Sequence, residues 1–266
     1  MKPRTVPAPR LRLFCFAYAG GSASVFNAWP EHLPGDVEVC AIQLPGREAR
    51  LAQPAHTNIS MLVPELARSL DGLLHDLPYV TFGHSMGATV SFELVRHLRD
   101  VGAPQPRLMF VAGRRPPHVD RPDVIIHDLP DRQFAHAVAQ LNGTPREFLR
   151  EQELLHLVLP MLRADFTLIE RYRHEPGPPL DVPMVAFTGA GDVRVPREIA
   201  AQWARYTGKS FALRVLPGDH FFLRSATEHL LAEITHHLAA LRGRVAPGGQ
   251  RRTAAHHAAE AAPISL

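Results

Sequence analysis

The sequence predicts one α/β domain whose mostly parallel central sheet is flanked by helices on both faces. The chain of 266 residues is long enough for one such domain with a substantial core. Short apolar runs rich in β-branched and aromatic residues alternate with longer segments whose apolar residues recur at helical spacing. Because parallel strands need crossover connections, usually helices, this alternation favours a parallel sheet.

Six apolar runs are the predicted strands, and each is followed closely by Gly or Pro, which end regular structure. Segments with helical periodicity lie between most of these runs. The predicted strands cover residues 11–16, 37–42, 79–82, 107–112, 182–187 and 211–216. The predicted helices cover residues 26–33, 59–74, 88–98, 196–206 and 225–241.

One long segment interrupts the alternation, because residues 129–172 have a helical pattern with no strand between. An insertion between two core strands usually lies over the strand ends, where α/β sheets carry their sites. We therefore predict a helical lid over about residues 127–174, within a domain that spans residues 1–242. The remaining residues, 243–266, are rich in Arg, Ala, Gly and Pro without apolar periodicity and are predicted to be disordered.

Composition argues against several classes of protein. The net charge of +3 is spread along the chain without a basic stripe interleaved with aromatics, which argues against nucleic-acid binding. No apolar run is long enough to cross a bilayer and the N-terminus lacks an apolar signal core, so we expect no membrane association and a cytoplasmic location. Two cysteines exclude a disulfide framework. No metal-binding or phosphate-loop motif is present, and we predict neither a metal nor a cofactor.

The motif Gly83-His84-Ser85-Met86-Gly87 lies directly between a predicted strand and a predicted helix. Gly-x-Ser-x-Gly alone is a weak pattern, but the strand-turn-helix context is the one that a nucleophile elbow requires. The two glycines allow strand and helix to approach so closely that a Cβ at either position would clash. Ser85 is therefore the predicted nucleophile of an α/β-hydrolase, and His84 is interpreted as a packing residue.

A serine hydroxyl needs a base to accept its proton, and in this fold the base follows the last strand. Among sixteen histidines, His220 has that position, whereas His236 and His237 lie within the last predicted helix. The acid that orients the imidazole should follow an earlier strand, which favours Asp192 in the loop after residues 182–187. Asp219 and Asp120 remain the alternatives.

The oxyanion of the reaction needs two backbone N–H donors. Met86, at the start of the helix after Ser85, is expected to supply one of them. The second should come from the Gly-containing loop after the first strand, where Ala19 is the preferred donor and Tyr18 the alternative. Tyr18 and Phe221 are also expected near the mouth of the site, where they would contact substrate.

Three segments together resemble the type II thioesterases, the stand-alone editing enzymes of polyketide and non-ribosomal peptide biosynthesis. The resemblance extends from Leu11 to Leu241, and the Pro-Gly-Arg-Glu-x-Arg segment is its most discriminating part because general esterases lack it. A fourth stretch, residues 159–166, and the loop over residues 189–192 also match. The three segments are residues 16–21 (Phe-Ala-Tyr-Ala-Gly-Gly), 43–50 (Gln-Leu-Pro-Gly-Arg-Glu-Ala-Arg) and 82–88 (Phe-Gly-His-Ser-Met-Gly-Ala).

The resemblance implies hydrolysis of acyl groups from the phosphopantetheine thiol of an acyl or peptidyl carrier protein. We expect the protein to be a monomer without a cofactor of its own. The resemblance also implies a triad of Ser85, Asp192 and His220. One residue departs from the family pattern, since Ala17 stands where the family usually has Pro. The Pro-Gly-Arg segment itself is expected to be structural, with Arg47 and Arg50 in ion pairs.

Three other functions stay open from the sequence. A small-molecule carboxylesterase of the same fold would use the same triad. A chain-releasing thioesterase that cyclises its product is a second alternative, against which the lack of an attached carrier domain argues. A non-enzymatic scaffold is the third, and the presence of all three triad residue types argues against it.

Overall fold

The computed structural model describes residues 6–119, 124–141, 152–243 and 264–265. The predicted α/β class is confirmed, because every strand pair in the described residues is parallel. The strands are β1 (Leu11–Phe16), β2 (Val37–Gln43), β3 (Tyr79–His84), β4 (Met109–Ala112), β5 (Met184–Gly189), β6 (Phe211–Leu216) and β7 (Ile264–Ser265). They form one sheet in the order β6-β5-β4-β3-β1-β2-β7.

The α-helices of the described residues connect these strands and cover the sheet. They are α1 (Trp29–His32), α2 (Ile59–Asp76), α3 (Met86–Asp100), α4 (Asp131–Gln140), α5 (Gln152–Glu170), α6 (Arg197–Ala200), α7 (Phe222–Ser225) and α8 (Thr227–Gly243).

Three predicted helices differ in detail from those observed. The helix predicted over 26–33 is only Trp29–His32, because Leu33 precedes a proline and adopts an extended backbone. The segment after β5 begins as an α-helix but continues as a 3₁₀ helix over Ala201–Tyr206. The last predicted helix is divided at Ala226, whose φ of −129° and ψ of 37° lie outside the helical range.

Alternation along β1 shows how the sheet separates two hydrophobic cores. Leu13 and Cys15 contribute to the core on the face covered by α8, whereas Phe14 and Phe16 contribute to the core on the face covered by α2 and α3. Every residue of β1 is buried. A strand buried on both faces reads as a continuous apolar run, which is why periodicity of two is absent from this segment.

The helical segment between β4 and β5 has a hydrophobic cluster of its own. Phe134 and Val138 of α4 pack with Leu159 and Leu162 of α5. Farther along α5, Leu168 joins the core that α2 and α3 form against the sheet. The predicted lid over 127–174 therefore has its described helices anchored to each other and to the main domain, while residues 142–151 lie outside the described residues.

The C-terminal tail is described at only two of its positions beyond α8. Ile264 and Ser265 pair in parallel with Ile42 and Gln43 of β2. The disorder expected over 243–266 and the domain limit at 242 stay predictions, since the other residues after Gly243 lie outside the description. Among the described helices, none combines a bilayer-spanning length with a sufficiently apolar sequence.

Candidate active site

Ser85 occupies a strained turn between β3 and α3. Its φ of 53° and ψ of −113° are unusual for a residue with a side chain and cost about 1–3 kcal/mol. The Ser85 N–H donates a hydrogen bond of 2.8 Å to the carbonyl of Ala112, at the end of β4. The side chain is half-buried. The turn therefore holds the Ser85 hydroxyl at the carboxyl edge of the sheet, where sites of α/β proteins lie.

Close backbone contacts explain both glycines of the motif. A Cβ on Gly83 would lie 2.3 Å from the carbonyl oxygen of Gly87, and a Cβ on Gly87 would lie 2.1 Å from the carbonyl oxygen of Phe16. Real side chains never approach backbone so closely, so neither position tolerates a larger residue without movement of a strand or helix. The expectation that the motif's glycines serve a close approach agrees with these distances.

Asp192 and His220 come together from two neighbouring loops. The His220 Nδ1 lies 2.9 Å from the Asp192 Oδ2, and the other carboxylate oxygen accepts the N–H groups of Arg194 and Val195. Burial by itself would raise the pKa of Asp192, but these hydrogen bonds, led by that of His220, hold the pKa below its ordinary value. An ionised carboxylate at Nδ1 fixes the imidazole with Nε2 free to accept a proton.

The alternative acids are placed differently. Asp219 is exposed, and its carboxylate accepts the backbone N–H of Phe221 instead of contacting the imidazole. Asp120 lies outside the described residues. Among the described residues, Asp192 is thus the carboxylate that contacts His220.

His84 connects the Ser85 turn to the His220 loop, a contact that sequence reasoning did not anticipate. Its ring is fully buried, and Nε2 lies 2.9 Å from the backbone carbonyl of His220. Burial, together with the charge of the nearby His220, lowers the pKa of His84 to about 3. A neutral His84 therefore donates from Nε2 and fixes the His220 backbone. The place of His84 in the motif gave no sign of this contact, because His84 and His220 are 136 positions apart.

The Ser85 hydroxyl makes no hydrogen bond with the His220 imidazole in the described residues. The two loops that carry them are nevertheless in contact, because the ring of His84, the residue before Ser85, lies 5.3 Å from that of His220 between centroids. Hydrogen bonds between nucleophile and base are often long in the absence of substrate and shorten when it binds.

The loop after β1, in which the oxyanion donor is predicted, has two backbone N–H groups that are already hydrogen-bonded and two that are not, in the part of the chain that the structure describes. The Gly20 N–H donates to the Asp165 carboxylate at 2.8 Å and the Gly21 N–H donates to the Tyr18 carbonyl at 2.8 Å, so both are engaged. Within the described residues the N–H groups of Ala19 and Tyr18 have no such acceptor. The Met86 N–H, in the first turn of α3, likewise has no intrahelical partner.

Tyr18 and Phe221 pack together beside His220. Their ring centroids lie 5.2 Å apart, and the Phe221 ring lies 5.2 Å from that of His220. Tyr18 is buried and also contacts His84, whereas Phe221 is only half-buried. Phe221 thus has the surface that a substrate can touch, and most of Tyr18 serves the packing of this aromatic group.

Arg47 and Arg50 were both expected in ion pairs, and only Arg47 forms one in the described residues. Arg47 pairs with Asp165 of α5 at 2.6 Å. Arg50 instead donates to the carbonyl of Gln43 and to the side chain of Gln53. Sequence reasoning did not single out Asp165 as the partner, because 118 residues separate it from Arg47.

No group of three or more His, Cys, Asp or Glu side chains is arranged to hold a metal ion in the part of the chain that the structure describes. A hydroxyl on a strained turn, an imidazole–carboxylate pair and free backbone N–H groups at one edge of a parallel sheet are the features that characterise an α/β-hydrolase.

Comparison with known proteins identifies the family within that fold. A family model described as a thioesterase domain matches residues 11–238. RedJ, a thioesterase of the prodiginine pathway in Streptomyces coelicolor, has a solved structure that is 40% identical, covers 89% of this chain and 93% of its own, and gives a TM-score of 0.81. BorB, a type II thioesterase from the borrelidin biosynthetic cluster, is 33% identical with coverages of 90% and 96% and a TM-score of 0.81.

A curated relative, linear gramicidin dehydrogenase LgrE of Brevibacillus parabrevis, is 42% identical over 238 residues, which are 88% of this chain and 90% of that protein. Its name denotes a dehydrogenase, but the present sequence contains no Gly-x-Gly-x-x-Gly fingerprint for a dinucleotide. The chain belongs to the thioesterase family and has the α/β-hydrolase fold. It is a hydrolase that acts on thioesters, related to the thioesterases of polyketide and non-ribosomal peptide biosynthesis.

Proposed function

We propose that this thioesterase removes acyl groups from the phosphopantetheine arm of acyl or peptidyl carrier proteins, and so clears aberrant or stalled chains from a biosynthetic assembly line. The names of its relatives support the pathway, since RedJ and BorB belong to prodiginine and borrelidin biosynthesis. The observation that carries the chemistry is the His220–Asp192 hydrogen bond beside the strained turn of Ser85.

In the first step the Ser85 Oγ attacks the thioester carbonyl carbon while the His220 Nε2 accepts the hydroxyl proton. The carbonyl π electrons move to the oxygen, and the N–H groups of Ala19 and Met86 stabilise the negative charge. Asp192 stabilises the imidazolium. When the tetrahedral intermediate collapses, the C–S bond breaks and the proton held by His220 passes to the pantetheine sulfur, which leaves as a thiol.

In the second step water replaces the thiol. The water oxygen attacks the acyl-serine carbonyl carbon while His220 accepts a proton from the water. The same two N–H groups stabilise the second oxyanion. Cleavage of the ester bond returns the proton to Ser85 and releases a free acid. The phosphopantetheine arm belongs to the substrate, so the chain itself requires no cofactor.

One chain supplies every residue of this mechanism, and we therefore propose that the protein acts as a monomer. We propose as well that the reaction takes place in the cytoplasm. Substrate would enter beside Phe221, the half-buried member of the aromatic group at His220.

The test is a panel of acyl-carrier proteins and acyl-pantetheines offered to the parent protein, Ser85→Ala and Ser60→Ala. Ser60 lies exposed at the start of α2 and serves as the matched control. We expect Ser85→Ala to lower turnover by about 10⁶-fold, as when a triad is dismantled, and Ser60→Ala to retain the parent rate. Release of acyl groups by Ser85→Ala at the parent rate would refute the mechanism.

The same panel separates the alternatives. Faster turnover of simple oxygen esters than of carrier thioesters with the same acyl chain would indicate a carboxylesterase. Cyclised instead of hydrolysed products would indicate a chain-releasing thioesterase. Absence of fluorophosphonate labelling at Ser85 would indicate a scaffold without activity.

A further inference from the structure

A buried ion pair joins the helical segment between β4 and β5 to the Pro-Gly-Arg segment. The Arg47 Nη2 lies 2.6 Å from the Asp165 Oδ1, and Nη1 lies 2.9 Å from Oδ2, so the guanidinium binds both carboxylate oxygens. Both side chains are almost completely buried, with exposed fractions of 5% and 2%. A bidentate pair without solvent has a fixed geometry, and removal of either partner would leave the other as an unpaired buried charge.

The same two side chains also bind the loop after β1 directly. The Asp165 Oδ2 accepts the Gly20 N–H at 2.8 Å, and the Arg47 Nη1 donates to the Gly21 carbonyl at 2.8 Å. The Gly21 N–H in turn bonds the Tyr18 carbonyl. Because a peptide unit is planar, the direction of the Tyr18 carbonyl also fixes that of the Ala19 N–H. The pair therefore controls how the proposed oxyanion donor points.

Further contacts make the loop and the Pro-Gly-Arg segment one hydrogen-bonded unit. The buried Gln43 donates to the Arg47 carbonyl and accepts the N–H of Ala23. The Ser22 hydroxyl donates to the Glu48 carboxylate. Asp165 comes from α5 and contributes the side chain that ties this unit to that helix.

We propose that Arg47 and Asp165 are positioning residues that hold the Ala19 N–H in line with the oxyanion and make its placement depend on the position of α5. The inference rests on the proposed function. It gives a chemical role to two segments, residues 43–50 and 159–166, whose part in the reaction the mechanism leaves unassigned. Withdrawal of α5 from the sheet would release Gly20 and turn the donor away, so acyl transfer would be efficient only while the helix is docked.

The test compares Asp165→Asn with Glu170→Gln. Glu170 lies five residues farther along the same helix, is also buried and pairs with His127, but it does not touch the loop. Arg47→Lys keeps the charge and loses the planar fork. A single change leaves an unpaired buried charge and can prevent folding. The double variant Arg47→Gln with Asp165→Asn replaces the ion pair by two neutral amides, so that a folded protein remains for measurement.

Three quantities are measured for each variant: Tm, kcat with KM for a small acyl-pantetheine, and Ki for an alkyl trifluoromethyl ketone. The Ser85 Oγ adds to the carbonyl carbon of the ketone, and the Ser85 proton passes to His220. The resulting oxyanion accepts hydrogen bonds from the same N–H donors as the oxyanion of the reaction. We expect Asp165→Asn and Arg47→Lys to lower kcat at least ~10-fold and to raise Ki by the same factor, with KM within about two-fold, since loss of one oxyanion donor costs about 10²–10³. The double variant should be no worse than either single variant, because the two side chains act as a unit. Glu170→Gln should change Tm without changing kcat or Ki.

Different results overturn different statements. If Asp165→Asn and Glu170→Gln lower kcat equally for an equal loss in Tm, or if Asp165→Asn raises KM alone, the pair is only structural and the inference is wrong. If the parent binds the ketone no more tightly than Ser85→Ala does, the proposed chemistry fails and the inference fails with it. If the parent acts on the pantetheine thioester but not on carrier proteins, the proposed substrate fails while the ion-pair result stands.

Discussion

The buried His84 makes the stability of this protein depend on pH below neutrality. Its ring is fully buried and its pKa is lowered to about 3, mainly by burial and next by the charge of His220. Nδ1 has no hydrogen-bond partner among the described residues, so protonation would bury both a charge and an unpaired donor. In the unfolded chain the same group has an ordinary histidine pKa near 6.5.

The pH dependence of the free energy of unfolding follows from the difference in proton binding between the folded and the unfolded chain. Between pH 6.5 and 3 the unfolded chain binds a proton at this position and the folded chain does not, so acid favours unfolding. This group has little effect on stability well above pH 6.5. Below pH 6.5 the free energy of unfolding falls with a slope that approaches about 1.4 kcal/mol per pH unit, until the pH nears the folded pKa of about 3. From pH 5.5 to 4.5 we expect His84 to remove about 1.3 kcal/mol from the free energy of unfolding, since the unfolded histidine is already mostly protonated at pH 5.5.

The measurement is urea unfolding at pH 7.5, 5.5 and 4.5 for the parent and for His84→Gln. Glutamine places an amide nitrogen near the position of Nε2 and can donate to the His220 carbonyl, but it does not titrate. Other titrating groups are common to both proteins and cancel in the difference. The parent should lose stability relative to the variant by about 1.3 kcal/mol between the two lower pH values. If the free energies of unfolding of the two proteins changed equally with pH, the argument that His84 is neutral in the folded protein would be refuted.

Three further changes test the site and its surroundings. Asp192→Asn should lower kcat by about 10⁴-fold while Tm changes little, because an amide at this place favours the wrong imidazole tautomer; an unchanged rate on acyl-pantetheine would contradict the assignment. Gly87→Ala should lower the free energy of unfolding by more than 2 kcal/mol, since its Cβ would lie 2.1 Å from the Phe16 carbonyl oxygen. Its control is Gly72→Ala, in open space within α2, which should raise the free energy of unfolding by about 0.5–1 kcal/mol. Phe134→Ala should cost about 3–5 kcal/mol in urea unfolding if the α4–α5 cluster unfolds with the domain, and much less if it opens separately.

The parts of the molecule that sequence predicts best are those with local physical causes. The strand over residues 11–16 and the one over residues 211–216 were predicted at their observed limits, because apolar runs bounded by turn residues define them. The motif around Ser85 could be placed for the same reason, since its glycines and its strand-helix context lie within a few neighbouring residues. The order Ser, acid, His along the chain then predicts the loops of Asp192 and His220 as the places of the acid and the base.

The parts that sequence does not predict depend on contacts between distant segments. His84 was assigned only to packing, because nothing in its neighbourhood indicates that it meets a carbonyl 136 residues away. Arg47 was expected in an ion pair, but its partner could not be named among the acidic residues of the chain. Local propensity also failed at Ala226, where the loop geometry after β6 interrupts a segment that reads as one continuous helix.

The positions of these residues show why the proposed site can be precise although it consists of loops. Ser85 follows β3 and is held by the Ala112 carbonyl at the end of β4. Asp192 and His220 follow β5 and β6, and the helix after Ser85 lies against the backbone of Phe16 at the end of β1. Five parallel strands therefore end at one edge, and each fixes one part of the site through a backbone or buried hydrogen-bond contact. The loop after β1 has its own hydrogen bonds to Arg47, in the segment after β2, and to Asp165 of α5. In the proposed mechanism the sheet therefore positions the nucleophile and the base, and α5 helps to orient the proposed Ala19 donor.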